Sequence, residues 1–231
     1  MTYWWTRIVD FIAPRSCVIC GRRLSPTERS LCSVCVLHLY RTTFQFTPED
    51  NEMAQLFWGL LPVERTAALI YYEPRSETAA LIYKLKYGHR PDIGEDLGRI
   101  MAEEMKPAGF LDGIDVLLPI PLSKKRYWQR GYNQSEMLAR GMSEVTGLPV
   151  ITKAVRRTNF RQSQTSLTRK ERQENVEGTF VLRHPEQLEN KHVLLIDDIC
   201  TTGATLLACS EAIRSIKGIR ISILTLGFTK K

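Results

Sequence analysis

The chain has 231 residues, of which 43% are hydrophobic, so it is long enough to bury a core and has the apolar content of a globular protein. Its formal net charge is +7. A net positive charge of this size is typical of proteins that bind phosphate-bearing ligands or nucleic acid. A solvated basic surface without such a ligand gives the same net charge. No apolar run reaches the roughly 18 residues of a membrane span, and no secretory signal is recognisable. We therefore predict a cytoplasmic protein without a membrane span.

The amino-terminal 40 residues combine an apolar segment with four paired cysteines. Apolar side chains recur at helical spacing in residues 1–14, which predicts an amphipathic helix that packs on the protein. Two C-x-x-C pairs follow, formed by Cys17, Cys20, Cys32 and Cys35. Four thiolates suit tetrahedral zinc and leave no open coordination position, so they predict a structural Zn²⁺ site. Two disulfides are the alternative, which the lack of a secretion signal disfavours.

The rest of the chain alternates strand-like and helical segments. Apolar runs predict strands over residues 67–72, 115–120, 149–155, 192–196 and 219–226. Helical spacing predicts helices over residues 77–87, 94–105, 133–145 and 204–217. A basic loop is expected over residues 122–131 and a mobile polar segment over residues 156–178. This alternation is typical of a parallel α/β sheet flanked by helices.

The most informative segment is residues 193–205, where an apolar strand leads to Asp197 and Asp198 and then to a loop of small residues. Ligands of α/β folds bind at this carboxyl edge of the sheet. Consecutive backbone N–H groups at the start of a helix can cradle a phosphate, and Gly203 permits close approach of the backbone. Two adjacent carboxylates repel a phosphate and suit ribose hydroxyls instead. For the pair alone, the alternative is solvated acids near a helix N-cap.

Motifs of other phosphate-binding folds are absent: the sequence contains neither G-x-x-x-x-G-K-[ST] nor G-x-G-x-x-G. Residues 193–205 instead resemble the phosphoribosyl pyrophosphate loop of the type I phosphoribosyltransferases, with four apolar residues, Asp-Asp, two residues, Thr-Thr-Gly, a small residue and Thr. The resemblance implies that Asp197 and Asp198 hold the ribose hydroxyls. It also implies that the 5′-phosphate is held by Cys200, Thr201, Thr202, Gly203, Ala204 and Thr205.

Further motifs extend the resemblance over nearly the whole chain. The cysteine module is followed by YKLKY at 83–87, PIPL at 119–122, RGYNQ at 130–134 and QTSLTRKER at 164–172. In this order the motifs resemble the ComF family of predicted phosphoribosyltransferases, some of them linked to natural competence and DNA uptake. The resemblance implies a type I phosphoribosyltransferase-like parallel sheet with a small zinc module. We accordingly divide the chain into residues 1–40 with the module, a connecting or hood region at 41–110, and the core at 111–231.

The resemblance also implies a reaction, in which a nucleophile, usually a nitrogen, displaces magnesium pyrophosphate from C1 of the ribose. Mg²⁺ is then held mainly by the ligand's own oxygens and by water. Pyrophosphate needs cations, and among the basic residues we select Arg130 and Lys170 for this role. The sequence contains no motif that predicts the acceptor or the oligomeric state.

Two functions remain open at this stage. The first is an enzyme that transfers the phosphoribosyl group of phosphoribosyl pyrophosphate to an unidentified acceptor. The second is a DNA-handling factor that binds single-stranded DNA through the basic residues 153–172 and keeps the ligand site to sense phosphoribosyl pyrophosphate or a nucleotide monophosphate. Release of pyrophosphate would indicate the enzyme, and salt-dependent DNA binding would indicate the factor.

Overall fold

The computed structural model describes residues 15–158 and 179–230. The strands in these ranges are β1 (Val63–Tyr72), β2 (Val116–Pro119), β3 (Val155–Arg157), β4 (Phe180–Leu182), β5 (His192–Cys200) and β6 (Arg220–Thr229). The α-helices in these ranges are α1 (Ser33–Leu37), α2 (Glu77–Tyr87), α3 (Pro91–Met105), α4 (Lys124–Arg130), α5 (Gln134–Thr146) and α6 (Ala204–Ile213). The helix predicted for residues 1–14 lies outside the described residues.

Four strands form the main sheet in the order β1-β6-β5-β2, and each neighbouring pair is parallel. Strands β3 and β4 form a separate antiparallel pair. The parallel α/β sheet flanked by helices is therefore confirmed. Strand β5 is central, and its apolar run is fully buried, as expected for a strand covered on both faces. Because the four strands run in one direction, β1, β2 and β5 all end at the same edge of the sheet.

Helix α5 brings its first residues to that edge. Its N-cap is Asn133, whose side-chain oxygen accepts the Ser135 N–H at 3.2 Å. The Asn133 amide donates to the carbonyl of Ile120 at 3.0 Å, just beyond the end of β2. One side chain thus caps the helix and ties it to the sheet, because its amide oxygen and nitrogen serve two different elements. Helix α5 also packs against α3.

The cysteine module is docked on helices α2 and α3. The Ser30 N–H donates to Oδ2 of the buried Asp96 at 2.9 Å, and Arg99 pairs with the other oxygen of Asp96 at 3.1 Å. The Nζ of Lys84 donates to the carbonyl of Val18. The Val18 side chain is buried in the main core rather than in the module. Polar and apolar contacts therefore fix the module to α2, α3 and the main core.

Two predicted segments differ from the structure. Residues 122–131, expected as a basic loop, contain α4, because the Ser123 hydroxyl caps the helix and Gly131 ends it in a left-handed conformation. The strand predicted over residues 149–155 is wrong. Only Val150 forms an isolated bridge, to Leu117, and the strand β3 begins at Val155.

The ends of two predicted elements, one strand and one helix, also differ from the structure. Strand β5 continues to Cys200 instead of ending at residue 196, because it stays paired with β6 up to Phe228. Both carboxylates therefore stand on the strand and not in the loop. Helix α6 ends at Ile213, four residues before the predicted end.

Candidate functional site

A pair of carboxylates, Asp197 and Asp198, lies at the carboxyl edge of the sheet, near the end of β5. The Asp198 side chain is mostly buried and its Oδ2 lies 3.1 Å from Lys86 Nζ and 3.9 Å from Arg130 Nη1. The neighbouring Asp197 accepts the Ser135 hydroxyl at 2.9 Å and the backbone N–H of Asp198 at 2.8 Å, both on Oδ1. The two acids therefore have different partners, cations for Asp198 and neutral donors for Asp197.

Burial raises the pKa of Asp197 to about 7, and the negative charge of Asp198 acts in the same direction. The N–H of Asp198, the Ser135 hydroxyl and the Lys86 ammonium oppose this rise without cancelling it. Asp197 therefore holds its proton to a higher pH than an exposed carboxyl does. A protonated carboxyl can donate a hydrogen bond as well as accept one.

The loop after β5 is short and turns sharply into α6. Gly203 adopts φ of 76°, a left-handed conformation that side chains disfavour, and it precedes the first residue of the helix. A methyl group added to Gly203 would lie 3.3 Å from the Phe57 ring, so the loop packs closely on the segment before β1. The first N–H groups of α6 have no partners within the helix, and residues 201–205 at this helix start line a small concave space. This arrangement suits an anion.

The cradle and the carboxylates open into a cavity of about 290 Å³ lined by four cationic side chains. These are Lys86, Arg126, Arg130 and Arg157. Arg130 donates to the side-chain oxygen of Gln134 at 2.6 Å, and its guanidinium lies 5.6 Å from the centroid of the Tyr87 ring. Burial lowers the pKa of Arg157, and the positive charge of Arg126 adds to the effect. Cations that repel one another in a partly buried cavity favour a ligand with several negative charges.

The structure brings together most of the residues selected from the sequence. Asp197, Asp198, Arg130, Thr201 and Thr205 all line the same cavity. Thr202, Gly203 and Ala204 complete the adjoining cradle. Cys200 is also at the cradle, but its side chain is buried, which raises the pKa of the thiol to about 12. Lys170 lies outside the described residues, so its role stays a prediction.

Sequence reasoning missed Ser135 and the placement of Arg157. Ser135 follows Asn133 in a capped helix start, and that cap was the available local signal. Arg157 belonged to a long basic stretch, in which nothing local distinguishes a cavity residue from a surface one.

The four cysteines of the amino-terminal module lie together, with all four sulfur atoms within 4.8 Å of one another. The separation between Cys20 Sγ and Cys32 Sγ is 3.8 Å. A tetrahedral ion with metal–sulfur bonds of about 2.3 Å has sulfur–sulfur edges of about 3.8 Å. The cluster can therefore hold a metal ion, and its geometry fits zinc.

Backbone N–H groups stabilise the thiolate form of Cys17 in this cluster. The N–H of Cys32 donates to Cys17 Sγ at 3.4 Å. Burial raises the pKa of Cys17, but N–H groups at Cys20, Cys32 and Ile19 outweigh it and bring the pKa to about 7. Burial raises the pKa of Cys35 well above the ordinary value, and the other three cysteines add to the rise. A cation among the four would offset this repulsion between thiolates.

A family model supports the interpretation of the sheet and the loop. Residues 130–228 match the model described as the phosphoribosyl transferase domain, a range that includes both carboxylates and the whole cradle. The parallel sheet and this match define a phosphoribosyltransferase-like protein.

Three similar proteins indicate which kind of phosphoribosyltransferase-like protein this chain resembles. The chain is 29% identical to the DNA utilization protein YhgH of Escherichia coli K12 over 192 residues, which cover 82% of this chain and 79% of the relative. It is 30% identical to competence protein F of Haemophilus influenzae over 150 residues, covering 63% and 64% of the two chains. It is 38% identical to competence protein ComFC of Bacillus subtilis over 91 residues, covering 39% and 35%. The family model and these relatives support a ComF-family, phosphoribosyltransferase-like protein, as the sequence resemblance predicts.

Within residues 15–158 and 179–230, no helix is both long enough and apolar enough to cross a membrane.

Proposed function

We propose that the chain binds phosphoribosyl pyrophosphate together with Mg²⁺ and transfers the phosphoribosyl group to an acceptor, in which a nitrogen is the expected nucleophile. The observation that carries this proposal is the meeting of an acid pair and an anion cradle in one cationic cavity. Ribose hydroxyls need acceptors, the 5′-phosphate needs N–H donors, and the pyrophosphate needs cations. These three requirements correspond to neighbouring parts of the cavity.

In this proposal Asp198 and Asp197 accept the ribose hydroxyls, and the N–H groups of residues 201–205 receive the 5′-phosphate. Both groups are held by a strand end and a helix start, so the ribose ring, and C1 with it, is fixed in place before reaction. The transition state resembles an oxocarbenium ion, and the carboxylates near the ribose stabilise its positive charge.

The pyrophosphate is proposed to lie toward the guanidinium groups of Arg126, Arg130 and Arg157, which line the same cavity. Mg²⁺, when bound with the ligand, neutralises part of the charge on the departing pyrophosphate. The residues around the cavity suit an ion carried by the ligand and water, because the nearby carboxylates already have partners of their own. Lys170 remains a proposed further cation for this group.

The test is calorimetry of the folded, metal-loaded protein with phosphoribosyl pyrophosphate and Mg²⁺. Asp198→Asn keeps the size of the side chain but removes its charge, and we expect affinity to fall at least about tenfold, the equivalent of about 1.4 kcal/mol. Asp50→Asn, which alters an exposed acid in the same way, serves as the matched control. Wild-type affinity in a correctly folded Asp198→Asn protein would refute the role of this acid. Release of pyrophosphate with a panel of nitrogen acceptors then tests transfer.

We propose that the four-cysteine cluster holds a structural Zn²⁺. All four ligands come from the protein, which leaves no position for a substrate. The ion would fold the module, whose own apolar cluster is small.

A second candidate function, binding of single-stranded DNA, is favoured by the surface of α4. This helix exposes Lys124 and Lys125 together with Trp128, which is 85% exposed, and Tyr127, which is 50% exposed. Exposed rings among cations suit stacking of unpaired bases and contact with phosphates. The name of one relative, DNA utilization protein YhgH, points in the same direction for that protein. Titration of labelled single-stranded DNA at increasing salt tests it, and binding that is absent at low salt would remove this candidate.

A further inference from the structure

Helix α2 lies between the cysteine module and the carboxylate pair. One of its lysines contacts the module, and another contacts the carboxylate pair. Lys84 Nζ donates to the carbonyl of Val18, within the first C-x-x-C pair. Lys86 Nζ lies 3.1 Å from Asp198 Oδ2. Residues two apart on an α-helix project about 200° from each other, so the two ammonium groups leave opposite sides of α2. The helix therefore connects the two sites directly.

The Val18 carbonyl is a fixed point on the module. Val18 lies between Cys17 and Cys20, two of the four clustered thiols, and the Val18 side chain is buried in the main core. The module is fixed independently by the Ser30 N–H, which donates to the buried Asp96. A lysine fastened to this carbonyl thus takes its position from the module and not from the ligand cavity.

On its other side, α2 supplies the shortest cationic contact of Asp198 found in the described part of the chain. The second cation, Arg130, is 3.9 Å away and is also bound to Gln134. A small shift of α2 would change the Lys86 contact first, because Arg130 is held by a different helix. The carboxylate that we propose for the ribose would then lose its nearest positive charge.

We propose that Lys84 is a positioning residue of the ligand site: it fastens α2 to the metal-binding module and thereby keeps Lys86 on Asp198. This inference rests on the proposed function for its effect on ligand affinity, but the contact that it invokes exists in the free protein. The coupling is reciprocal, so phosphoribosyl pyrophosphate should tighten metal binding by the same factor by which the metal tightens ligand binding.

The size of the effect is bounded by a second anchor. The Tyr132 hydroxyl donates to the carbonyl of Leu85, so α2 stays docked when Lys84 is replaced. Loss of one hydrogen bond then corresponds to a change of about three- to tenfold in affinity.

The experiment compares Lys84→Met with Lys106→Met, which removes an ammonium from an exposed lysine elsewhere. Metal content and thermal midpoint establish that each protein is folded. Two quantities are then measured: the rate at which acetic anhydride acetylates Lys86 without ligand, followed by mass spectrometry, and the calorimetric affinity for phosphoribosyl pyrophosphate with Mg²⁺. Asp198→Asn, which releases Lys86 directly, is the positive control for acetylation.

We expect Lys84→Met to keep its metal, to acetylate several-fold faster at Lys86 and to bind the ligand about three- to tenfold more weakly. Lys106→Met should change neither quantity, and Lys84→Arg, which retains a donor, should restore both. Unchanged acetylation of Lys86 in Lys84→Met overturns the inference whatever the ligand result. If the wild-type protein does not bind phosphoribosyl pyrophosphate, the proposed function fails, and the acetylation measurement still decides the contact. Should Lys84→Met lose its metal, all rates are measured with excess Zn²⁺ added to every protein, and an unchanged rate at Lys86 in Lys84→Met still overturns the inference.

Discussion

Replacing Gly203 by alanine tests the anion cradle most directly. Gly203 has φ of 76°, and an alanine in this left-handed conformation costs about 1–2 kcal/mol. The added methyl group would also lie 3.3 Å from Phe57 Cζ and 3.5 Å from Leu56 Cβ, which is tight enough to require a small shift. Both effects act on the backbone whose N–H groups form the cradle.

For a chain of this size, 1 kcal/mol corresponds to about 2–4 °C in the thermal midpoint, so the conformational cost alone lowers it by about 2–8 °C. We expect a separate loss of at least about tenfold in affinity for phosphoribosyl pyrophosphate, because the phosphate contacts depend on the orientation of these N–H groups. Thermal unfolding and calorimetry measure the two effects on the same sample.

Gly147→Ala is the matched control. Gly147 ends α5 with φ of 73°, and a methyl group there would meet nothing within 4 Å. It lies at the end of α5 opposite to Ser135, about 20 Å away at 1.5 Å per residue. It should therefore show the conformational cost with unchanged ligand affinity. Full affinity in Gly203→Ala, or equal losses of affinity in both variants, would refute the assignment of the cradle.

Two further predictions concern the acid pair and the metal. The pKa of Asp197 is raised to about 7, above the value of about 4 in an unfolded chain, so its contribution to stability is complete below about pH 4 and is lost as pH rises through about 7. Asp197→Asn, which cannot titrate, should lose less thermal stability than the wild type between about pH 5 and pH 8; equal losses would show that Asp197 titrates normally. Cys32→Ser should lose bound zinc and lower the thermal midpoint, whereas Cys209→Ala, at a buried cysteine outside the cluster, should keep the metal. Stoichiometric zinc in purified Cys32→Ser would contradict a four-thiolate site.

Features encoded over short stretches of chain were predictable from the sequence. The spacing of the four cysteines is local, and the structure brings their sulfur atoms together. The apolar run of β5 and the loop beyond it were also recognised, because burial on both faces leaves no alternation to confuse the pattern. The adjacency of Asp197 and Asp198 follows directly from the sequence, whereas their place on the strand itself was found only in the structure. Helix α2 was predicted with the bounds that the structure has, since Ser76 caps it and Gly88 ends it.

Local signals also produced the errors. The basic composition of residues 122–131 concealed a helix, although Ser123 and Gly131 carry its caps. The apolar residues 149–155 looked like a strand, but they lie at the outer side of β2 and only Val150 bridges it. Neither error could be corrected without knowing which backbone was available for pairing, because strand formation depends on a partner that is distant in the sequence.

The sequence by itself determined which chemical groups the site contains, since the acid pair, the small-residue loop and the thiols each lie within one short segment. Only the tertiary structure decided which of the many basic side chains reach them. Ser135 meets Asp197 across 62 residues, and Lys86 reaches Asp198 from α2, a helix far from it in the sequence. These encounters depend on the strand order β1-β6-β5-β2 and on the cap that holds α5 against β2. A lysine in a cavity and a lysine in solvent have the same sequence signature, because they differ only in the residues around them, which come from distant parts of the chain.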